Sequence, residues 1–269
     1  MFHELNVVTK EIEINATPSK VFSAWTEPDH LQRWFTDEVT GWPGVGSNLT
    51  FKWKNFGFSV DYKLAEMRPE TKLVFKTRLA GVGTQVLTVK LARRAPKTIV
   101  TLSESGPENH KIDPKESGVE SGWEMALGLL KYYVEKHFGC DRETFFAMLP
   151  AQFELLSLNK LFTTAEGMGQ WLTLESAPPQ KAGDECRLKL DNGMTISGRV
   201  LAITHHELAV SWDEIDGYLE LKSFPTGGDN KGLCLRGATY SPQSHSHDEL
   251  EAAVKDTLVK LFAAVSITV

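Results

Sequence analysis

Shifted by 137 residues, the second half of this chain repeats the plan of the first. Trp34-Phe35-Thr36 meets Trp171-Leu172-Thr173, Val45-Gly46-Ser47-Asn48 meets Ala182-Gly183-Asp184-Glu185, and Leu64-Ala65 meets Leu201-Ala202. Identity is low, but one offset runs through separate elements, and similarity at a fixed period marks a duplicated structural unit. The 269 residues therefore predict two tandem domains, 1–140 and 141–269, each of ordinary domain size. The boundary falls near Cys140-Asp141, with almost no linker.

The first half sets the plan. Asn6 to Asn15 alternates apolar and polar residues and predicts a strand. Thr17-Pro18 is a helix start, with Thr at the N-cap and Pro at N1. Two short helical segments follow, one carrying Val21, Phe22 and Trp25 and the next Leu31, Trp34 and Phe35. Gly41 to Gly46 reads as a loop. Five strands come next: 48–54, 58–67, 72–78, 84–92 and 98–103. The joints between them are short and rich in Gly and Pro, which predicts an antiparallel meander. A polar loop over 106–115 leads to Ser117–Gly139, which reads as a long helix. Ser117 with Glu120, and Ser121 with Glu124, each fit a capping box. Trp123, Ala126, Leu127, Leu130 and Val134 form an apolar stripe, widened by Met125, Leu129, Tyr132 and Tyr133. A helix this apolar is suited to covering the face of a sheet, and Gly139 would end it. In the second half Ser246 with Glu249 repeats the capping box, before a stripe of Leu250, Ala253, Val254, Leu258, Leu261, Phe262 and Val265. The expected fold is α+β.

Composition narrows the function. A net charge of -6 and no basic run longer than Arg93-Arg94 argue against nucleic acid, which needs clustered cations. No apolar stretch reaches membrane length, and the charged, alternating start predicts no signal peptide. We therefore expect a cytoplasmic protein without a membrane partner. Three well-separated cysteines, Cys140, Cys186 and Cys234, fit reduced thiols rather than a disulfide framework.

Certain residues carry a family resemblance: Ile12-x-Ile14-x-Ala16-Thr17-Pro18-x-x-Val21-Phe22-x-Ala24-Trp25-Thr26, then Leu31-x-x-Trp34-Phe35, Gly44-x-Gly46, and Ser121-Gly122-Trp123-Glu124 before an apolar helix. The pattern resembles the START-like or SRPBCC superfamily (Bet v1-like, helix-grip). Within it, the chain is most similar to bacterial domains named after the activator of Hsp90 ATPase. The second half keeps the order of elements but lacks the Ala-Thr-Pro start and the Gly-Trp pair, as a diverged copy would. The resemblance implies two tandem helix-grip domains, each a curved antiparallel sheet around a long C-terminal helix, with two short helices after strand one. It also implies a cavity between helix and sheet. Members bind hydrophobic small molecules, some catalyse cyclisation, and some assist a chaperone. Fold alone does not choose among these.

The candidate ligand-binding residues are Trp34, Phe51, Trp53, Phe58, Tyr62, Phe75, Trp123, Leu127 and Leu130, an apolar and aromatic set of the kind that lines small-molecule sites. A solid core would use the same residues. His245-x-His247-Asp248 has two of the three or four ligands a metal site needs. It reads better as a polar helix start with Asp248 at the positive end. No nucleophile motif is present, and Gly41-x-x-Gly44-x-Gly46 stands before a strand, the reverse of a phosphate loop. Alternation places Asp61 and Lys63 on the outer face, opposite Tyr62 and Leu64. The sequence thus predicts binding of a hydrophobic molecule, with no cofactor, no metal and no catalytic residues. The alternatives are a chaperone-directed interaction module and a cyclase- or hydrolase-like enzyme.

Overall fold

Alternation of apolar residues along each strand gives both halves one buried and one open sheet face, and a helix lies on the buried face. The computed structural model describes residues 6–79, 83–106, 118–153, 155–227, 230–241 and 245–267. The chain divides into two units, residues 1–140 and 141–269.

Domain 1 opens with β1 (Asn6–Ile14), followed by α1 (Pro18–Thr26) and α2 (Pro28–Trp34). Thr17 caps α1 by accepting from the Lys20 N–H at 3.4 Å. The extended Glu27 ahead of Pro28 ends it, because a residue before proline avoids the helical region. The remaining strands are β2 (Glu38–Gly41), β3 (Asn48–Trp53), β4 (Phe58–Arg68), β5 (Lys72–Leu79), β6 (Gly83–Arg94) and β7 (Lys97–Gly106). Their order in the antiparallel sheet is β1-β7-β6-β5-β4-β3-β2. The loop expected over 41–46 begins one residue inside β2, a strand too short to show alternation.

The helix α3 (Gly118–Tyr132) continues as a single π-helical stretch, Tyr133–His137. Gly139 follows at φ +88°, in the left-handed region where glycine ends helices at no steric cost. Polar bonds fasten α3 to the first strand. Lys10 Nζ lies 2.8 Å from both Glu120 and Glu124, Lys131 Nζ donates to the Glu13 carbonyl at 2.6 Å, and the Asn15 N–H donates to Glu135 Oε1 at 2.7 Å. One sequence expectation is corrected here. Helix α3 is already formed at Gly118, so Ser121 is a buried interior position rather than an N-cap. The other proposed cap, Ser117, lies outside the described residues.

Domain 2 repeats the topology with β8 (Glu143–Ala151), α4 (Leu155–Thr163), α5 (Ala165–Met168), β9 (Thr173–Leu174), β10 (Glu185–Lys189), β11 (Thr195–Ile203), β12 (Glu207–Trp212), β13 (Gly217–Gly227), β14 (Asn230–Thr239) and α6 (His247–Ile267). The sheet order is β8-β14-β13-β12-β11-β10-β9. The Ser246 capping box forms as read. The Ser246 N–H donates to Glu249 Oε2 at 2.8 Å, and the Glu249 N–H donates to Ser246 Oγ at 3.3 Å. His247 sits 3.3 Å from Glu143 and 3.7 Å from Glu251.

The two domains match in backbone detail. The Gly46 N–H donates to the Leu64 carbonyl at 2.7 Å, and the Gly183 N–H to the Val200 carbonyl at 2.8 Å. Both glycines have φ near +90°. A register shift follows Leu64 in β4 and Val200 in β11. Leu64 is therefore equivalent to Val200, not to Leu201 as the uniform shift of 137 suggests. The connection between the paired Lys189 and Thr195 is one residue shorter than that between Lys52 and Ser59. Among the described residues, no helix is long and apolar enough to cross a membrane.

Candidate functional site

Helix α3 and the inner face of β3–β7 enclose a continuous run of aromatic rings in domain 1. Trp34, Phe51, Tyr62, Phe75, Trp123, Leu127 and Leu130 are all buried there. Phe51 lies 5.4 Å from Tyr62, and Tyr62 lies 6.3 Å from Phe75, centroid to centroid. Trp53 is half-buried and donates its indole N–H to the Phe35 carbonyl at 2.9 Å. Phe58 sits at the rim, 54% exposed, its ring 5.6 Å from Trp53. Asp61 and Lys63 are exposed on the outer face, and Asp61 accepts from Thr50 Oγ1 at 2.6 Å.

Two aromatic residues outside the candidate list join these rings together. Phe35, at the C-cap of α2, contacts Trp34 at 5.0 Å, Trp53 at 5.2 Å, Phe51 at 5.7 Å and Trp123 at 5.8 Å, and it lies nearly parallel to Trp123. Trp25 packs edge-on to Trp34 at 4.9 Å and lies 6.5 Å from Trp123. The indole N–H of Trp25 is buried without an acceptor among the described residues. Such a group costs about 1–3 kcal/mol relative to a paired one.

A carboxylate enters this aromatic region. In β7 the buried residues Thr98, Val100 and Leu102 alternate with more open neighbours, and the same alternation turns Glu104 to the inner face. The Trp123 indole donates to Glu104 Oε2. Burial, with the Glu104 charge beside it, holds the Tyr62 hydroxyl well above the ordinary phenol range, so it stays protonated. Sequence reading missed Glu104 because it stands between Ser103 and Ser105 near a strand end, where charge usually means solvent. The signal that could have found it is the two-residue period running on from Val100.

Beside Glu104, the inner face carries three further polar side chains. Thr77 pairs with Gln85 across β5 and β6. Tyr62 stands one position beyond the paired Lys63 and Lys76, which places it next to Thr77. Glu104 pairs with Leu87, two residues from Gln85. Thr77 is 5% exposed, and Tyr62 and Gln85 are each 9% exposed. None of these three has a side-chain hydrogen bond among the described residues.

Domain 2 fills the equivalent positions differently. With Leu64 matched to Val200, the ladder pairs make Thr77 equivalent to Trp212, Gln85 to Gly217 and Glu104 to Gly237. Trp212 and Phe145 meet edge to face at 6.2 Å. A Cβ added at Gly237 would lie 2.2 Å from the Phe145 ring. The inner face of domain 2 thus packs apolar side chains where domain 1 has a polar row. Among the described residues of the chain, no group of three His, Cys, Asp or Glu side chains is placed to hold a metal ion.

Residues 15–135 match the family model described as "Activator of Hsp90 ATPase homolog 1-like protein", and this span is a START-type domain. No curated protein matches the sequence. Among solved structures, the chain is similar to DynU16, a protein in the dynemicin biosynthetic locus, at 16% identity over 97% of this chain and 96% of that one, with a TM-score of 0.44. CalU16 from Micromonospora echinospora is similar at 23% identity over 49% of this chain and 75% of that one, TM-score 0.42. The Aha1 dimer from Colwellia psychrerythraea is similar at 23% identity over 48% of this chain and 96% of that one, TM-score 0.42. No functional argument rests on likeness at these identities and scores.

Proposed function

We propose, on the premise that residues 15–135 form a domain of the activator of Hsp90 ATPase homolog 1-like family, that this domain binds a hydrophobic small molecule between α3 and the sheet. The proposed contacts are Trp34, Phe51, Trp53, Phe58, Tyr62, Phe75, Trp123, Leu127 and Leu130, with Phe35 added. The observation that carries the reading is the ring assembly centred on Phe35 and Trp123, which ends in the partly open Trp53 and Phe58. Offset and edge-on rings at these separations offer flat faces and slots to an aromatic guest. Binding is confined to domain 1, and the protein works in the cytoplasm without a cofactor. Seven tryptophans provide the readout. Anthraquinone should quench their emission saturably in the wild type and at least tenfold more weakly in Phe35→Ala. Equal quenching by both proteins overturns the placement of the site.

The family match favours one second reading, a module that acts on a chaperone. Stimulation of Hsp90 ATPase by the purified chain, undiminished in Phe35→Ala, would support that reading over the first.

A further inference from the structure

The polar row on the inner face of domain 1 says more about the ligand than the rings do, and this step rests on the small-molecule reading above. Tyr62, Thr77, Gln85 and Glu104 belong to four successive strands, β4 to β7, so the row spans three strand spacings, about 14 Å. Tyr62, Thr77 and Gln85 are at least nine-tenths buried and have no side-chain partner among the described residues. A buried polar group left unpaired is costly, and three adjacent ones face the same side. Domain 2 shows what the same backbone does when it packs this region solid: Trp212 replaces Thr77, and Phe145 lies over Gly237, the equivalent of Glu104. The polar row is therefore not a requirement of the fold.

We propose that domain 1 takes an elongated, flat, mostly apolar molecule with oxygens along one long edge, and that this edge lies against Thr77, Gln85 and Glu104. The rings of Phe35 and Trp123 cover its faces. Gln85 and Thr77 each both donate and accept, so they match carbonyl or hydroxyl oxygens. Glu104 accepts only and already takes the Trp123 N–H, so the ligand group at that end is a hydroxyl or another donor. A carboxylate there would meet like charge. The proposed ligand is thus neutral and protic, which distinguishes it from a fatty acid.

The test compares three probes by tryptophan quenching: anthraquinone, 1,8-dihydroxyanthraquinone, whose three oxygens share one long edge, and anthracene-2-carboxylate. The wild type should bind the dihydroxy compound at least tenfold more tightly than anthraquinone, and the carboxylate most weakly. In Thr77→Val/Gln85→Leu the preference for the dihydroxy compound should vanish while anthraquinone binding holds. Glu104→Gln should restore binding of the carboxylate. Equal affinity of the wild type for the first two probes overturns the proposal and leaves the small-molecule reading standing. Saturable binding of none of the three overturns both. The wild-type comparison needs no variant to fold, and a preference that survives in a folded double variant also overturns the proposal.

Discussion

Trp34 and Trp171 make the same hydrogen bond in the two domains, each to the carbonyl ten residues upstream. Trp34 Nε1 donates to the Ala24 oxygen at 2.8 Å and Trp171 Nε1 to the Leu161 oxygen at 2.7 Å. Both rings are buried. The bond ties the second short helix of each domain to the last turn of the first, satisfying a carbonyl that the helix end leaves open. Trp25, a neighbour of Trp34, is equally buried but has no such acceptor. Trp34→Phe and Trp171→Phe should therefore each cost about 1–3 kcal/mol more than Trp25→Phe, because they strand a buried carbonyl. Urea unfolding of the three variants measures this. Equal losses would mean that the indole bonds contribute nothing beyond ring packing.

Gly237 gives a second prediction, in the domain to which we assign no ligand. Phe145 occupies the space a side chain would need, within 2.2 Å of an added Cβ. Gly237→Ala must push the ring into Trp212 or away from the sheet. Overpacking of this kind costs about 1–3 kcal/mol. The thermal midpoint of the full chain should fall, while anthraquinone affinity stays at the wild-type value. A loss of affinity would place the site in the wrong domain.

His30 makes the stability of domain 1 depend on pH. It is buried, stacked on Phe138 at 4.3 Å, with Nδ1 2.5 Å from the Tyr133 hydroxyl. Burial lowers its pKa below the ordinary value of 6.5, against the opposing pull of Glu27, while Arg33 adds to the lowering. The Gly139 N–H donates to the Tyr133 oxygen at 3.1 Å, which leaves the tyrosine proton for a neutral His30. The unfolded chain binds the proton more readily, so stability is complete above pH 6.5 and falls as the pH drops through that value. Urea midpoints at pH 7.5 and 5.5 should differ more in the wild type than in His30→Gln. An unchanged difference would show that other groups set the acid sensitivity.

Much of the architecture was legible in the residues. The offset that joins Trp34 to Trp171 follows from a duplicated backbone, and Ser246 with Glu249 could be read as a cap because both partners are local. Ser121 with Glu124 has the same spacing but lies inside α3, since a capping box in sequence does not say where the preceding chain becomes helical. Glu104 was not legible. Its meaning depends on Gln85 and Trp123 reaching it from elements 19 residues away on either side, through a register that only pairing fixes. Phe35 was hidden by its neighbour, because adjacent aromatics at a helix end do not show which one turns toward the sheet. The uniform 137-residue shift failed at Leu64 because one hairpin connection is a residue shorter in domain 2.

The central claim is that the chain carries one hydrophobic molecule, in domain 1. Native mass spectrometry of the full-length protein as purified, with organic extraction of whatever is released, tests it most directly. The account predicts a complex of one apolar, neutral compound per chain, lost in Phe35→Ala. A chain mass with nothing bound and nothing extracted, or two equivalents that persist in Phe35→Ala, would contradict it.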